Sequence, residues 1–292
     1  MSETVRHFLT GAELSAPELE ALLGRAAELG RAPHSSDALA GRSVALVFEK
    51  PSTRTRVSFE VGIAELGGHP LVLRPGEMQL SRGESLRDTA LVLSRHVAAI
   101  GVRTGPDAAL AELAAYSSVP VFNMLTARHH PCQALADLLT VQEVCGHLRG
   151  VRLAYIGDGN NVARSLCVLG AIAGVEVVVA APACLQLEEG LPGVTLTDDP
   201  RAAAAGAQVL YTDVWVSMGD EEGERRRLLA PYRIDDELLD LAAPGAFALH
   251  CLPAHPGEEI TEAVLYGPRQ HIWDQAENRR HAQKALLELL VG

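Results

Sequence analysis

The chain has 292 residues with a formal net charge of −12, and 48% of its residues are hydrophobic and 21% charged. That globular balance excludes a disordered chain and leaves room for one large domain or two of ordinary size. The acidic balance argues against nucleic acid or an anionic membrane as the main partner. No stretch approaches the ~20 apolar residues that span a bilayer, and the start, Met1-Ser2-Glu3-Thr4-Val5-Arg6-His7, lacks the basic-then-apolar layout of a secretory leader. Five cysteines (132, 145, 167, 184 and 251) form no Cys-x-x-Cys pair, which reads as free thiols in a reducing, cytoplasmic compartment.

Taken in chain order, Ser43–Phe48 reads as a buried strand, followed by a loop and a helix over 57–67. Helices over 86–95 and 109–116 alternate with short strands at Val97–Val102 and Val119–Asn123. The pattern restarts after a helix over 133–145, whose Leu135, Leu138, Leu139, Val141 and Val144 recur at helical spacing, and Gly146-His147-Leu148-Arg149-Gly150 reads as a hinge. Strands at Val151–Ile156, Val175–Ala180, Gln208–Tyr211 and Ala246–His250, with a helix over Val162–Ala173, build a second sheet. An amphipathic helix closes the chain from about Ala276 to Leu290, and the alanines at 202–205 read as plain helix. The expectation is an α/β protein of two doubly wound parallel-sheet domains with a cleft between them. Ligands in such sheets sit beyond the carboxyl ends of the strands, in loops that open helices.

The residues with chemistry to offer fall in those loops. Ser52-Thr53-Arg54-Thr55-Arg56 follows the first strand and precedes an apolar helix. Three hydroxyls, two guanidiniums and the free N–H groups of a helix start make a phosphate site, whereas capping the helix would need only one hydroxyl. His130 and Gln133 are three apart at another helix start, behind which Pro131 suits the first turn; a helix cap and a ligand pair explain them about equally well. Gly157-Asp158-Gly159-Asn160-Asn161 follows a strand but puts Val162 where a dinucleotide fingerprint needs its last glycine, so a nicotinamide site is not expected. Met78–Ser85 reads as a surface loop, Cys251 as a small core residue, and His129, His255 and His271 have no spacing that marks a metal site.

Phe48-Glu49-Lys50-Pro51-Ser52-Thr53-Arg54-Thr55-Arg56-Val57-Ser58-Phe59-Glu60 resembles the carbamoyl-phosphate motif of the aspartate/ornithine carbamoyltransferase family. It is joined in the family's order by His130-Pro131-Cys132-Gln133, Asp213-Val214-Trp215-Val216-Ser217-Met218-Gly219, His250-Cys251-Leu252-Pro253 and Ala276-Glu277-Asn278-Arg279, so the resemblance spans essentially the whole chain. One position departs from it: Gly105 follows Arg103-Thr104 where the family carries an aromatic residue.

The resemblance implies a carbamoyl-phosphate-binding domain over 1–146, to which the last helix (276–292) returns, and an ornithine-binding domain over 147–275. It implies that carbamoyl phosphate is held by Ser52, Thr53, Arg54, Thr55, Arg103, His130, Gln133, Cys251, Leu252 and Arg279, with Gln79 reaching it from a neighbouring subunit of a homotrimer or a multiple of trimers. Arg103 would bridge phosphate and carbonyl oxygen, His130 and Gln133 would hold the carbamoyl group, and Asp213 and Cys251 would orient the amine, making Arg103, His130, Asp213 and Cys251 the catalytic set. Asn161, Asp213, Ser217 and Met218 would bind the amino acid, with Asn160 forming the turn. No lysine lies between Lys50 and Lys284, whereas aspartate-using members supply a catalytic lysine in the loop after Gln79. A carboxylate at 213 together with Ser217-Met218-Gly219 resembles the members that act on ornithine. The implied setting is arginine metabolism, with biosynthesis the expected direction and no metal or organic cofactor.

Overall fold

The computed structural model describes residues 5–79, 83–188, 191, 193–216 and 222–292. In chain order the elements are α1 (Ala16–Arg31), β1 (Ser43–Phe48), α2 (Thr53–Glu65), β2 (His69–Leu73), α3 (Leu86–Leu93), β3 (Ala99–Arg103), α4 (Asp107–Tyr116), β4 (Val121–Leu125) and α5 (Pro131–Cys145). They continue with β5 (Arg152–Ile156), α6 (Asn161–Ala173), β6 (Glu176–Ala180), β7 (Val194–Thr197), α7 (Pro200–Ala204), β8 (Val209–Thr212), α8 (Glu222–Leu229), α9 (Asp236–Asp240), β9 (Phe247–His250), α10 (Glu262–Leu265) and α11 (Ile272–Val291). The chain divides into two compact units, Met1–Leu139 with Glu277–Gly292, and Thr140–Ala276. The division falls inside α5, ahead of the 146–150 segment read as a hinge.

The first unit holds a four-stranded sheet in the order β2-β1-β3-β4, parallel throughout. β1, Ser-Val-Ala-Leu-Val-Phe, is buried at every position but its first, as a central strand covered on both faces must be. Ala45, Val47, Ile100 and Val102 pack on one face against Ala90, Leu110 and Leu113 of α3 and α4. Because β2 and β3 lie on opposite sides of β1, the chain reverses its winding there and the ends of β1 and β3 splay their loops apart. Phe48 pairs with Arg103 at that point, so the phosphate motif and Arg103 emerge side by side. The Glu49 amide donates to the Arg103 carbonyl (2.9 Å), and the Thr104 hydroxyl donates to the Glu49 carboxylate (2.5 Å).

The second unit repeats the plan with five parallel strands in the order β7-β6-β5-β8-β9. Its reversal lies between β5 and β8, where the Thr212 hydroxyl donates to the Ile156 carbonyl at 2.7 Å. The loop Gly157–Asn160 and Asp213 leave the sheet there, and His250 at the end of β9 pairs with Thr212. The two α/β sheets expected from the alternating pattern are both present.

The C-terminal helix returns to the first unit. Lys284 is fully buried, and its ammonium donates to Glu65 Oε2 (2.5 Å) and to the carbonyls of Pro33 (3.0 Å) and Leu29 (3.3 Å). Nearby, Arg25 Nε pairs with Glu288 at 2.7 Å. A buried ammonium is tolerated only with its donors used, so these partners fix where α11 docks.

Six elements were not expected from the sequence: α1, β2, β7 and the short helices α8, α9 and α10. α1 carries a capping signal, Ser15 with Glu18 three residues on, and the Ser15 amide donates to that carboxylate at 2.9 Å. β2 contains Pro70 and lies at the sheet edge, where a missing N–H is harmless, and β7 is the other sheet's four-residue edge. α2 begins at Thr53 rather than 57 and α11 at Ile272 rather than 276, so the phosphate motif forms the first turn of its helix instead of preceding it. Among the described residues no helix is long and apolar enough to cross a membrane.

Truncating one partner of a buried ion pair leaves the other charge uncompensated. Lys284→Ala is expected to lower unfolding stability by about 3–5 kcal/mol, measured as the midpoint of chemical denaturation. An unchanged midpoint would refute the docking role given to this lysine.

Candidate active site

In the first unit the site grows from the N-terminus of α2. Ser52 precedes the helix in extended backbone, and its side chain makes no capping hydrogen bond. The first turn holds no acidic residue, so the N–H groups and the positive end of the helix dipole carry no internal carboxylate. Ser52 and Thr53 line a cavity of about 560 Å³ together with Lys50 and Arg56. The two arginines of the motif are used differently. Arg56 turns along the helix to Glu60 (2.9 Å), whereas Arg54 bears on His130.

Thr55 is buried and accepts a hydrogen bond from Arg279 Nη2 at 2.5 Å. The same guanidinium donates through Nη1 to Gln133 Oε1 at 2.7 Å. Gln133 is fixed at its other end, where Nε2 donates to the buried Asp137 at 2.8 Å. These two partners also fix which end of the amide is oxygen. Motifs from residues 55, 133 and 279 are thereby joined in one buried network.

His130 lies at the head of α5, 2% exposed. Burial, and then the guanidiniums of Arg279, Arg103 and Arg54, hold its pKa well below the usual histidine value. A neutral imidazole offers one N–H donor and adds no charge to a site already rich in cations. Cys132, beside it, is a core thiol: burial pushes its pKa up to about 12 against the opposing effect of Arg279, and its sulfur donates to the Asn123 carbonyl at 3.2 Å.

In the second unit, Gly157 has φ +138°, and a side chain on Gly159 would come within 2.5 Å of the Leu185 carbonyl. The Gly159 amide already donates to that carbonyl at 2.8 Å. These glycines serve a tight turn covered by the segment 185–187, not an open cradle for a pyrophosphate. Asn160 caps α6, its Oδ1 accepting from the amides of Val162 (2.9 Å) and Ala163 (3.2 Å). Its Nδ2 donates to Asp213 Oδ2 at 2.9 Å. Asn160 is therefore more than the turn former the sequence reading made it, and Asn161 opens the helix, half-buried.

Asp213 is 7% exposed. Burial raises its pKa, while His250, the Val214 amide and Asn160 pull it down and Glu259 pushes it further up. Asp213 and Cys251 both bear on the buried Tyr155 phenol, which they help to hold protonated. His250 is wired to the next loop: its Nε2 meets Glu259 Oε1 at 3.1 Å, and its Nδ1 accepts from the Leu252 amide at 2.8 Å. Leu252 has φ +63°, a backbone state that a non-glycine residue keeps only when its surroundings hold it there, and its bond to Pro253 is cis.

Other expectations fare differently. Gln79 is exposed, and its carbonyl accepts from the Glu84 amide at 3.2 Å. Ser217 and Met218 lie outside the described residues. Cys251 and Leu252, expected in the carbamoyl-phosphate set, belong to the second unit. Asp137 was not singled out, although its i+4 spacing from Gln133 is a visible signal. His129 pairs with Asp107 at 3.0 Å and His271 with Asp274 at 2.8 Å. His255 does have carboxylate neighbours, Glu258 and Glu259, with ligand-type atoms all within 4.8 Å. Glu258 is engaged by Arg226 and Glu259 by His250, so the group reads as an ion-pair cluster.

The family model for the aspartate/ornithine carbamoyltransferase carbamoyl-P binding domain matches residues 6–143, and the model for the Asp/Orn binding domain matches residues 149–290. The chain belongs to the aspartate/ornithine carbamoyltransferase family. A relative from Acidothermus cellulolyticus called ornithine carbamoyltransferase is 56% identical over 302 residues, covering 98% of this chain and 97% of its own. A protein of the same name from a Parafrankia species is 52% identical over 99% of this chain and 96% of its own. Among solved structures, the ornithine carbamoyltransferase from Pyrococcus furiosus superposes with a TM-score of 0.95 at 43% identity, covering 100% of this chain and 99% of its own.

The state of His130 has a consequence for stability. Its folded pKa lies well below the 6.5 of the unfolded chain, so below that value the unfolded state takes up a proton that the folded state does not. Unfolding free energy must then fall as pH drops below about 6.5, by up to ~1.4 kcal/mol per pH unit for this group. His130→Gln is expected to flatten the decline between about pH 6.5 and 5, compared by denaturant titration at both ends of that range. A decline as steep as in the parent would show that His130 titrates normally.

Proposed function

We propose that this chain transfers the carbamoyl group of carbamoyl phosphate to the side-chain amine of L-ornithine, giving L-citrulline and phosphate. The observation that carries the donor half is the buried Arg279 guanidinium, which holds Thr55 and Gln133 together beside His130. Backbone and side-chain donors of Ser52, Thr53, Arg54 and Thr55 bind the phosphate. Arg103, His130 and Thr55 donate to the carbonyl oxygen as negative charge builds on it, with Gln133 on the carbamoyl amide, an oxyanion-hole arrangement. Carbamoyl phosphate is an activated mixed anhydride, so the amine attacks the carbonyl carbon directly: one C–N bond forms, the C–O bond to phosphate breaks, and the proton the amine gives up ends on the departing phosphate. No covalent enzyme intermediate is needed.

The acceptor is read from the second unit. Asp213 meets the basic end of the amino acid with Cys251 beside it, and Asn161, Ser217 and Met218 hold the α-amino and carboxylate end. An amine of this type has a pKa near ~10.4 in water, so the site must favour its neutral form. An aspartate acceptor would call for a cationic pocket, and no lysine stands between Lys50 and Lys284. The names of relatives 52% and 56% identical over nearly the whole chain support ornithine. The family's use of Gln79 from a neighbouring subunit supports a homotrimer, or a multiple of trimers, as the working form, and the same resemblance supports a cytoplasmic enzyme of arginine biosynthesis. In this reading the carbamoyl-phosphate domain is 1–146 with the last helix and the ornithine domain is 147–275.

Arg54→Ala is expected to lower citrulline formation by roughly 10²–10³-fold, the cost of removing one transition-state donor, with the circular-dichroism spectrum unchanged. Near-normal turnover would remove the motif from the donor site. Offered ornithine, aspartate, putrescine and N-acetylornithine with carbamoyl phosphate, the purified protein is expected to make ureido product from ornithine. A clear preference for another amine would overturn the acceptor assignment. Sedimentation equilibrium is expected to give the mass of three chains or a multiple of three, and a monomer would exclude a role for Gln79 between subunits.

A further inference from the structure

The orientation of the Asn160 side chain is over-determined. Its Oδ1 receives the amide hydrogens of Val162 (2.9 Å) and Ala163 (3.2 Å) and lies 3.1 Å from the Tyr155 hydroxyl. Backbone N–H groups can only donate, so the oxygen must face the helix and the amide cannot be turned over. Its Nδ2 is thereby directed at Asp213 Oδ2, 2.9 Å away. The support beneath is rigid: Tyr155 is fully buried and stacks on Tyr211 with ring centroids 5.5 Å apart, and Gln275 Nε2 donates to the Tyr211 hydroxyl at 3.1 Å.

We propose that Asn160 is a positioning residue for the transfer, holding the Asp213 carboxylate in place for the acceptor amine from the same side chain that caps α6. The inference rests on the reading of Asp213 as the group that meets that amine. Aiming a buried carboxylate needs a donor with no freedom of its own, because a rotatable hydroxyl or a lysine could follow the acid instead of directing it. Asn160 fits this need, since its other end is fixed by backbone amides. The remaining groups that bear on Asp213 are His250 at the end of β9, the Val214 amide, Glu259 and the Tyr155 phenol of β5. Of these, Tyr155 is itself hydrogen-bonded to Asn160. Asn160 thus ties the start of α6, a tyrosine of β5 and the carboxylate after β8 into one unit.

Capping and positioning are separable by substitution. Asn160→Asp is isosteric and keeps the capping oxygen, but it sets an oxygen against Asp213 where a donor stood. Asn160→Ser keeps a hydroxyl able to cap and removes the donor. Asn160→Ser is expected to unfold near the parent temperature, Asn160→Asp at a lower one because a second carboxylate then meets Asp213, and both to bind carbamoyl phosphate, followed by calorimetry, with parent affinity. In Asn160→Ser, kcat/KM for ornithine is expected to fall on the order of 10–100-fold, the worth of one hydrogen bond to a charged group, and further in Asn160→Asp. The acid limb of the kcat/KM profile should move to higher pH in both. The ionised form of Asp213 loses a stabilising donor, so its carboxylate protonates earlier as pH falls.

Parent-like kcat/KM and an unmoved acid limb in both variants would overturn the proposal and leave Asn160 as a helix cap. Asp213→Asn serves as the control for the underlying reading. If it turns over ornithine normally, the assignment of Asp213 is wrong and the Asn160 proposal falls with it. If it is inactive while the Asn160 variants are normal, only the positioning role is lost.

Discussion

The Arg279 guanidinium, with Thr55 on one side and Gln133 on the other, is the contact that ties three distant motifs of the first unit together. Its partners are 224 and 146 residues away in sequence, and it is 3% exposed. A cation at such burial is costly unless its donors are used. That cost is what makes the arrangement specific: α11 can bring Arg279 inside only where Thr55 and Gln133 wait for it. Lys284, five residues further along the helix and also buried, sets the same register through Glu65 and two carbonyls. The pair locks the last helix to the first sheet at two points, one in the site and one below it.

A concentration of positive charge has a cost of its own, and His130 shows how it is managed. A histidine among Arg54, Arg103 and Arg279 that took a proton would add a fourth charge without solvent to screen it. Burial and these neighbours favour its neutral form. The second unit solves the opposite problem. Asp213 is pushed toward its neutral form by burial and by Glu259, against the opposing pull of His250, the Val214 amide and Asn160. Each unit biases the charge of one buried group through its neighbours, in opposite senses.

Both sites stand where a parallel sheet reverses its winding, and the reason is geometric. At the ends of β1 and β3, and again of β5 and β8, neighbouring loops leave in opposite directions and leave an opening that backbone cannot fill. The register pair Phe48–Arg103 and the hydrogen bond from Thr212 to Ile156 put the functional loops at those openings. The glycines at 157 and 159 belong to this geometry, not to nucleotide binding, since Gly159 is covered by the segment around Leu185.

Much of this was legible from residues alone, because the signals are local. Alternation of apolar runs and helical periods is written in neighbouring residues, which is why both sheets and most helices could be placed. The run Ser52–Arg56 announced an anion site because its hydroxyls and guanidiniums are consecutive. Weaker local signals were passed over: Ser15 with Glu18 marks α1, and Pro70 disguised the edge strand β2. Other features could not be read from the sequence at all. The i+4 spacing of Arg56 and Glu60 was a visible reason to expect that arginine to be spent on its own helix, but nothing in sequence says that Arg54 bears on His130. Nothing in Asn160 itself says that its nitrogen meets an acid 53 residues away. Hydrogen-bond direction, burial and the charge state of a titratable group depend on atoms brought together from distant parts of the chain. Residue type and spacing set which chemistry is possible here, and only the packed structure decides which of two similar side chains performs it.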